Sequence, residues 1–153
     1  MTDKEFLQKT IEVSKESIAL GGYPVGSIVV LNNEIIGKAI SNGKNIFDAT
    51  AHAEIIAIRE ASQKLQKRDL KNAVVYSSLE PCLMCFSACF WASIKKVVYA
   101  CSKEKAGIKH FEGHNDLQKI NENNLKKIEI IYLSELENEA FDVISNWEKN
   151  LTR

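Results

Sequence analysis

The apolar residues of this chain follow a helical period first, then a strand-like pattern, and afterwards alternate between the two. Residues 3–20 carry apolar side chains at helical spacing and lead into Gly21-Gly22, which suits the left-handed end of a helix. Two runs rich in β-branched residues, 25–31 and 35–40, are separated by Asn32-Asn33, which tolerates positive φ. This segment therefore predicts a helix followed by a β-hairpin.

The rest of the chain alternates between short strands and amphipathic helices. Strands are predicted at residues 74–77, 97–101 and 128–133, and helices at 52–66, 82–93 and 137–149. Residues 102–124 are polar and are predicted to form a loop. A hairpin followed by this alternation predicts a three-layer α/β/α sandwich around one mixed sheet of about five strands. No linker interrupts the pattern, so we expect a single domain over residues 1–153.

The composition excludes several classes of protein. With 45% apolar and 26% charged residues, the 153-residue chain has the composition of one soluble globular domain. Its 20 basic and 20 acidic residues balance, which argues against a partner bound mainly through phosphates. The longest nearly apolar stretch, residues 82–94, is shorter than the ~20 residues of a membrane span, so no membrane contact is expected. Acidic residues at the N-terminus are unlike a secretory signal and favour a cytoplasmic location.

Two predicted helix starts carry side chains that suit a metal site. Cys82 and Cys85 are three residues apart and share one face of a helix, whose free N–H groups favour the thiolate. His52 begins another helix, 30 residues before Cys82. Zinc binds thiolate sulfur at ~2.3 Å and imidazole nitrogen at ~2.0 Å. The sequence therefore predicts a zinc ion held by His52, Cys82 and Cys85.

Three protein ligands leave the fourth zinc position open, as in catalytic rather than structural sites. A water molecule in that position has a pKa of ~7 and becomes a nucleophile. Glu54 follows His52 by two residues, a spacing that places both side chains at one site only in the first turn of a helix. We therefore predict that Glu54 lies beside the water and acts as the general acid and base.

Two alternatives need no catalysis by the metal. A Cys-x-x-Cys pair can be a redox dithiol, and a structural zinc would take a fourth ligand from Cys89, Cys101, His110 or His114. Cys89 and Cys101 fit buried small apolar residues better, and the two histidines fit a solvated pair in a polar loop. A non-catalytic binding module stabilised by zinc is thus the alternative from another functional class.

The histidine-x-glutamate and proline-cysteine-x-x-cysteine motifs together are the signature of zinc nucleobase deaminases. The chain resembles the cytidine deaminase-like superfamily over residues 23–26, 50–55, 79–85 and 97–100. This resemblance implies the same sandwich fold, the zinc ligands named above and Glu54 as the proton shuttle in hydrolytic release of ammonia. It also implies a homodimer.

Two branches of the superfamily fit the chain. Residues 85–92 are similar to guanine deaminases, in which a tryptophan after the second zinc cysteine lines the base pocket, and this resemblance assigns substrate contact to Trp91. It also assigns substrate contact to Ala53 and Asn42, with Ser41 replacing Asn42 if the alignment shifts by one residue. The second branch comprises the tRNA adenosine deaminases.

The loop after the fourth strand departs from both branches. Residues 101–108 lack the arginine-aspartate run of the tRNA branch, and residues 107–116 lack the acidic pair that follows a glycine-phenylalanine in guanine deaminases. Candidate substrate contacts in this loop are Phe111, Glu112, His114 and Asp116. The basic residues at 64–71 are interpreted as a solvated helix end rather than an RNA surface. We therefore expect the substrate to be a small base or nucleoside, above all a free purine such as guanine, with adenosine-to-inosine editing of tRNA as the alternative.

Overall fold

The computed structural model describes residues 1–151 and contains one mixed five-stranded sheet. Its strands are β1 Gly26–Leu31, β2 Glu34–Ile40, β3 Val74–Leu79, β4 Lys96–Cys101 and β5 Glu129–Tyr132. They are ordered β2-β1-β3-β4-β5. β1 is antiparallel to both of its neighbours, whereas β3, β4 and β5 are parallel. The predicted hairpin is present, and its turn residues Asn32 and Asn33 have φ of 50° and 65°.

Helices cover both faces of the sheet. They are α1 Asp3–Ala19, α2 Gly43–Ile46, α3 Ala53–Leu65, α4 Leu83–Trp91, α5 Lys103–Ala106, α6 Leu117–Asn123 and α7 Glu137–Leu151. One buried cluster joins α1 and α7 to the sheet, and it includes Leu7, Ile11, Val98 and Ile144. A second buried cluster joins α3, α4 and α6 to the sheet, and it includes Ala57, Val75, Phe86 and Leu117. The predicted three-layer sandwich is therefore confirmed.

The prediction of a loop over residues 102–124 is wrong. Short helices α5 and α6 lie within it, together with a 3-10 turn at Ile108–His110. Side-chain caps start both helices, because the Ser102 hydroxyl accepts from the Lys105 amide and the Asp116 carboxylate accepts from the Gln118 and Lys119 amides. Helices of four and seven residues are too short to display a helical period, so the spacing of apolar residues did not predict them.

No helix within residues 1–151 has the length and apolar character that a membrane span requires. The longest nearly apolar stretch of the sequence forms α4 and its flanks, and α4 packs Phe86 and Cys89 into the second buried cluster.

Helix α3 lies unusually close to β2 at Gly37. A Cβ atom added to Gly37 would lie 2.2 Å from the carbonyl oxygen of Ala57, which is much shorter than any relaxed contact. Because the obstacle is helix backbone rather than a flexible side chain, α3 itself would have to move.

We expect Gly37→Ala to lower the free energy of unfolding by about 1–3 kcal/mol, the usual range for overpacking a core. Gly113→Ala is the matched control, since the nearest atom to an added Cβ there is 4.0 Å away. Urea unfolding of both variants measures the difference. Equal midpoints for Gly37→Ala and the parent chain would contradict the close approach of α3 and β2.

Candidate active site

The predicted metal ligands meet where α3 and α4 begin. His52 is the N-cap residue of α3 and Cys82 the N-cap residue of α4. Cys85 lies in the first turn of α4, three residues after Cys82. Strand β3 ends at Leu79, so the chain passes directly from the sheet edge into this second helix start.

The three ligand atoms have the spacing of a zinc site. The Nδ1 atom of His52 lies 3.5 Å from the Sγ atom of Cys82 and 3.5 Å from that of Cys85. Tetrahedral zinc with bonds of ~2.0 Å to nitrogen and ~2.3 Å to sulfur separates two such ligands by about 3.5 Å. Among residues 1–151, the group of metal-binding side chains at this place contains these three and no fourth Cys or His. His52, Cys82 and Cys85 are thus positioned to bind zinc through three protein ligands.

The two thiols differ strongly in acidity. A hydrogen bond from the Cys85 thiol, together with the nearby imidazole of His52, lowers the pKa of Cys82 to about 5, although burial opposes this shift. The pKa of Cys85 is raised, because its proton is shared with Cys82 and because its thiol is buried. Cys82 is therefore the ligand whose sulfur atom more readily carries a negative charge. A cation that binds both sulfur atoms displaces the proton of Cys85.

Glu54 lies against this cluster in a nearly dry environment. It is in the first turn of α3 and only 4% exposed. The Ser77 hydroxyl of β3 donates to its Oε1 atom at 2.9 Å, and the Cys85 thiol lies 3.4 Å from its Oε2 atom. Burial raises the pKa of Glu54. A carboxyl group with a raised pKa beside a metal site is suited to accept and return protons near neutral pH.

A cavity of about 870 Å³ opens next to these side chains. The cluster of His52, Glu54 and Cys82 forms part of its wall. Further lining residues include Tyr23, Ser41, Asn42, Lys44, Asp48, Ala53, Glu80, Lys109, His110, Phe111 and Glu112. Asn42 and Ala53, which the resemblance assigns to substrate contact, both line this cavity, and so does the alternative residue Ser41.

The structure does not bring Trp91 to this cavity. Its side chain is 69% exposed and lines a separate groove with Ile55, Ile58 and Ala88. The geometry of the helix gives the reason. Each residue of an α-helix is rotated by ~100° from the one before it, so Trp91, six residues after Cys85, projects about 240° around α4 from the Cys85 side chain. As a substrate contact, Trp91 stays a prediction that nothing in this chain's cavity supports.

The loop candidates separate into two pairs. Phe111 and Glu112 line the cavity, and the Glu112 carboxylate accepts from the backbone amide of Leu83 in the first turn of α4. His114 and Asp116 are not among the lining residues, and Asp116 instead caps α6.

One interpretation from the sequence needs correction. His110 is not a solvated loop residue, since its side chain is only 5% exposed and contacts Glu148 of α7 at 2.7 Å. That contact spans 38 residues and therefore leaves no local signal in the sequence. Cys89 and Cys101 are both buried free thiols, as expected.

Residues 1–101 match the family model of the cytidine and deoxycytidylate deaminase zinc-binding region. The chain belongs to this deaminase family. Its members are zinc-dependent hydrolytic deaminases, and the ligand geometry described above agrees with that chemistry.

Known deaminases of two kinds are similar to the chain. A tRNA-specific adenosine deaminase of Aquifex aeolicus is 37% identical over 107 residues, which cover 70% of this chain and 71% of the relative. The guanine deaminase of Bacillus subtilis is 35% identical over 113 residues, covering 73% and 72%. A guanine deaminase structure from Nitrosomonas europaea superposes with a TM-score of 0.83 at 21% identity, covering 94% of this chain and 83% of that one. This last similarity supports the deaminase fold alone.

Zinc content tests the ligand set directly. We expect Cys85→Ser to reduce bound zinc from about one ion per chain to a small fraction, because a neutral hydroxyl is a poor zinc ligand. Cys89→Ala is the control, since this buried thiol is one helical turn further along α4 and outside the ligand group. Elemental analysis after dialysis measures both. Full zinc retention by Cys85→Ser would exclude the proposed ligand set.

Proposed function

We propose that this deaminase removes the amino group of a small free base by hydrolysis, and that the base is a purine such as guanine. The observation that carries the proposal is the buried carboxyl of Glu54 beside the three metal ligands, at the wall of a cavity large enough for a purine. A structural zinc site has no need of a buried carboxylate at this place, because such a site is closed by a fourth protein ligand.

The residues of the cavity have distinct parts in the reaction. His52, Cys82 and Cys85 would hold the zinc ion, which when bound would supply an acidified water molecule as the nucleophile. Ser77 holds the Oε1 atom of Glu54, which leaves the Oε2 atom directed to the metal ligands. Glu54 takes a proton from the attacking water and delivers it to the amino nitrogen of the base, which leaves as ammonia.

Asn42 is proposed to orient the base. Its Oδ1 atom accepts from the Asn45 side chain at 3.1 Å, so its own amide hydrogens remain for an acceptor on the substrate. Ala53, which is fully buried and lies between His52 and Glu54 in the chain, also lines the cavity and is proposed as a substrate contact. Asn42, Ala53 and Glu54 all line this cavity, so a base bound there can contact all three.

The charge around the cavity favours a small neutral base over RNA. Acidic lining residues outnumber lysines, with Asp48, Glu54, Glu80 and Glu112 against Lys44 and Lys109. The basic cluster at residues 64–71 is partly neutralised, because Lys64 pairs with Glu34 and Arg68 with Asp69. A tRNA substrate is bound mainly through its phosphates and requires a basic surface near the reacting base.

Editing of adenosine in tRNA is the second candidate. It is favoured by the similarity to the Aquifex aeolicus enzyme, which matches this chain at 37% identity. The two candidates differ in the substrate rather than in the chemistry, so one set of assays decides between them.

Ammonia release from guanine, adenine, cytosine and their nucleosides, with an anticodon stem-loop alongside, measures the substrate directly. We expect turnover of a free purine by the zinc-loaded protein. Glu54→Gln keeps the hydrogen bond to Ser77 but cannot carry a proton, so the rate should fall at least ~10²-fold while zinc content is unchanged. Glu60→Gln, an exposed position on the same helix, serves as the control and should retain full activity.

Activity confined to the stem-loop would replace the free purine by tRNA as the substrate. Equal rates for Glu54→Gln and the parent protein would remove Glu54 from the mechanism. A zinc-loaded protein that converts none of these substrates would favour the non-catalytic module.

We further propose that the enzyme is a homodimer and that Trp91 lies in the dimer contact. Its groove between α3 and α4 is predominantly apolar, and exposed tryptophans next to apolar grooves are typical of binding sites for another protein surface. A second copy of the chain is the occupant implied by the resemblance to dimeric deaminases.

We also propose that the enzyme acts in the cytoplasm. Cys82 and Cys85 are free thiols, and thiols stay reduced and able to bind a metal in that compartment.

Trp91→Lys should convert a dimer to a monomer, because a charged side chain would be desolvated in the contact. Leu125→Lys is the control, since this side chain is 96% exposed and outside the groove. Sedimentation velocity at micromolar concentration distinguishes the two states. A Trp91→Lys protein that stays dimeric would place the dimer contact elsewhere.

A further inference from the structure

The last helix contacts the wall of the substrate cavity. Residues 109–112, which we name the wall segment, all line this cavity. Lys109 and His110 belong to the 3-10 turn at Ile108–His110, and none of the four residues lies in the sheet. Their position therefore depends on side-chain contacts rather than on strand pairing.

A single carboxylate of α7 holds two successive residues of the wall segment. The Oε1 atom of Glu148 lies 2.7 Å from the Nε2 atom of His110 and 3.1 Å from the Nζ atom of Lys109. The His110 side chain is almost fully buried at this contact, and the Glu148 side chain is 30% exposed. A hydrogen bond to a charged acceptor in such a protected place is stronger than one on the open surface.

The other end of the wall segment is fixed to the metal-binding helix. Glu112 accepts from the amide of Leu83, which directly follows the ligand Cys82. Between the two ends, the Nζ atom of Lys103 lies 5.2 Å from the centre of the Phe111 ring. The wall segment thus connects α7 with the start of α4 across the side of the cavity.

A second contact from α7 supports the neighbouring wall. The Trp147 ring meets the Tyr23 ring edge-on at 4.8 Å, and Tyr23 also meets the His110 ring edge-on at 5.3 Å. Both Tyr23 and His110 line the cavity. Two adjacent residues of α7 therefore contact two parts of the cavity wall: Trp147 contacts Tyr23, and Glu148 contacts His110.

We infer that Glu148 is a positioning residue that sets the shape of the substrate cavity through His110 and Lys109. The inference rests on the proposed function for the identity of the substrate, but not for the contact itself. Helix α7 and the wall segment both lie beyond residues 1–101, the part of the chain that matches the family model. One side of the cavity is thereby shaped by a part of the chain separate from the zinc ligands, beside the contacts proposed for Asn42.

Steady-state kinetics on the best substrate of the panel test the inference. Glu148→Ala should raise KM roughly tenfold and change kcat less than twofold, because Glu54 and the metal ligands are untouched. Glu148→Gln retains an acceptor for His110 and should restore most of the affinity. Glu135→Ala is the control, since it removes only the exposed pair with Lys4. An unchanged KM in Glu148→Ala, or a loss confined to kcat, would overturn the inference.

A double-mutant cycle tests whether Glu148 acts through His110. We expect His110→Ala to raise KM as Glu148→Ala does, and the double variant to be no worse than either single variant. Fully additive effects would show that the two side chains act independently and would contradict the proposed role.

Amide hydrogen exchange gives an answer that needs no substrate. The amides of His110 and Phe111 bond to the carbonyls of Gly107 and Ile108 within the 3-10 turn, so their exchange reports on the wall segment. In the zinc-loaded protein, Glu148→Ala should speed exchange there at least tenfold and leave β3 and β4 unchanged. Unchanged exchange at these two amides, or faster exchange over the whole chain, would overturn the inference even if no base is deaminated.

Discussion

The site depends on one constraint: the first residues of α3 and α4 must bring their side chains to within hydrogen-bonding distance of one another. One imidazole nitrogen must lie 3.5 Å from two sulfur atoms that come from another helix, 30 and 33 residues further along the chain. Strand β3 leads into α4, and α3 lies on the same face of the sheet, so both helices begin near one sheet edge. The absence of a side chain at Gly37 allows α3 to lie this close to β2. A bulkier residue there would push away the helix that carries both His52 and Glu54.

Burial gives this site its chemical character. A carboxyl group that is 4% exposed would lose the solvation of its charge, and the Ser77 hydroxyl, the Cys85 thiol and its own backbone amide offer it polar contacts. The same burial raises its pKa, which is the property that proton transfer near neutral pH requires. The fold thus tolerates an unfavourable group in its interior beside the metal ligands, at the place where we propose that it transfers protons.

Features set by local sequence could be predicted, and features set by distant contacts could not. The hairpin, the strands and the longer helices follow from periodicity and turn residues, and the zinc ligands follow from their spacing at helix starts. The short helices α5 and α6 depend on caps too local for a periodic signal. Burial of His110 depends on Glu148, 38 residues away. Trp91 was assigned to the cavity by resemblance, whereas the rotation of α4 carries its side chain to the outer surface.

The support of the wall segment by α7 has a consequence for how such enzymes diverge. Substitutions in α7 can reshape the cavity while the metal ligands and Glu54 keep their geometry, because α7 contacts the wall segment and the wall segment contacts the start of α4 through Glu112. A duplicated gene could therefore acquire a differently shaped cavity through a handful of changes in the stretch that encodes α7. Hybrids that exchange α7 between related enzymes would alter one wall of the cavity without rebuilding the metal site.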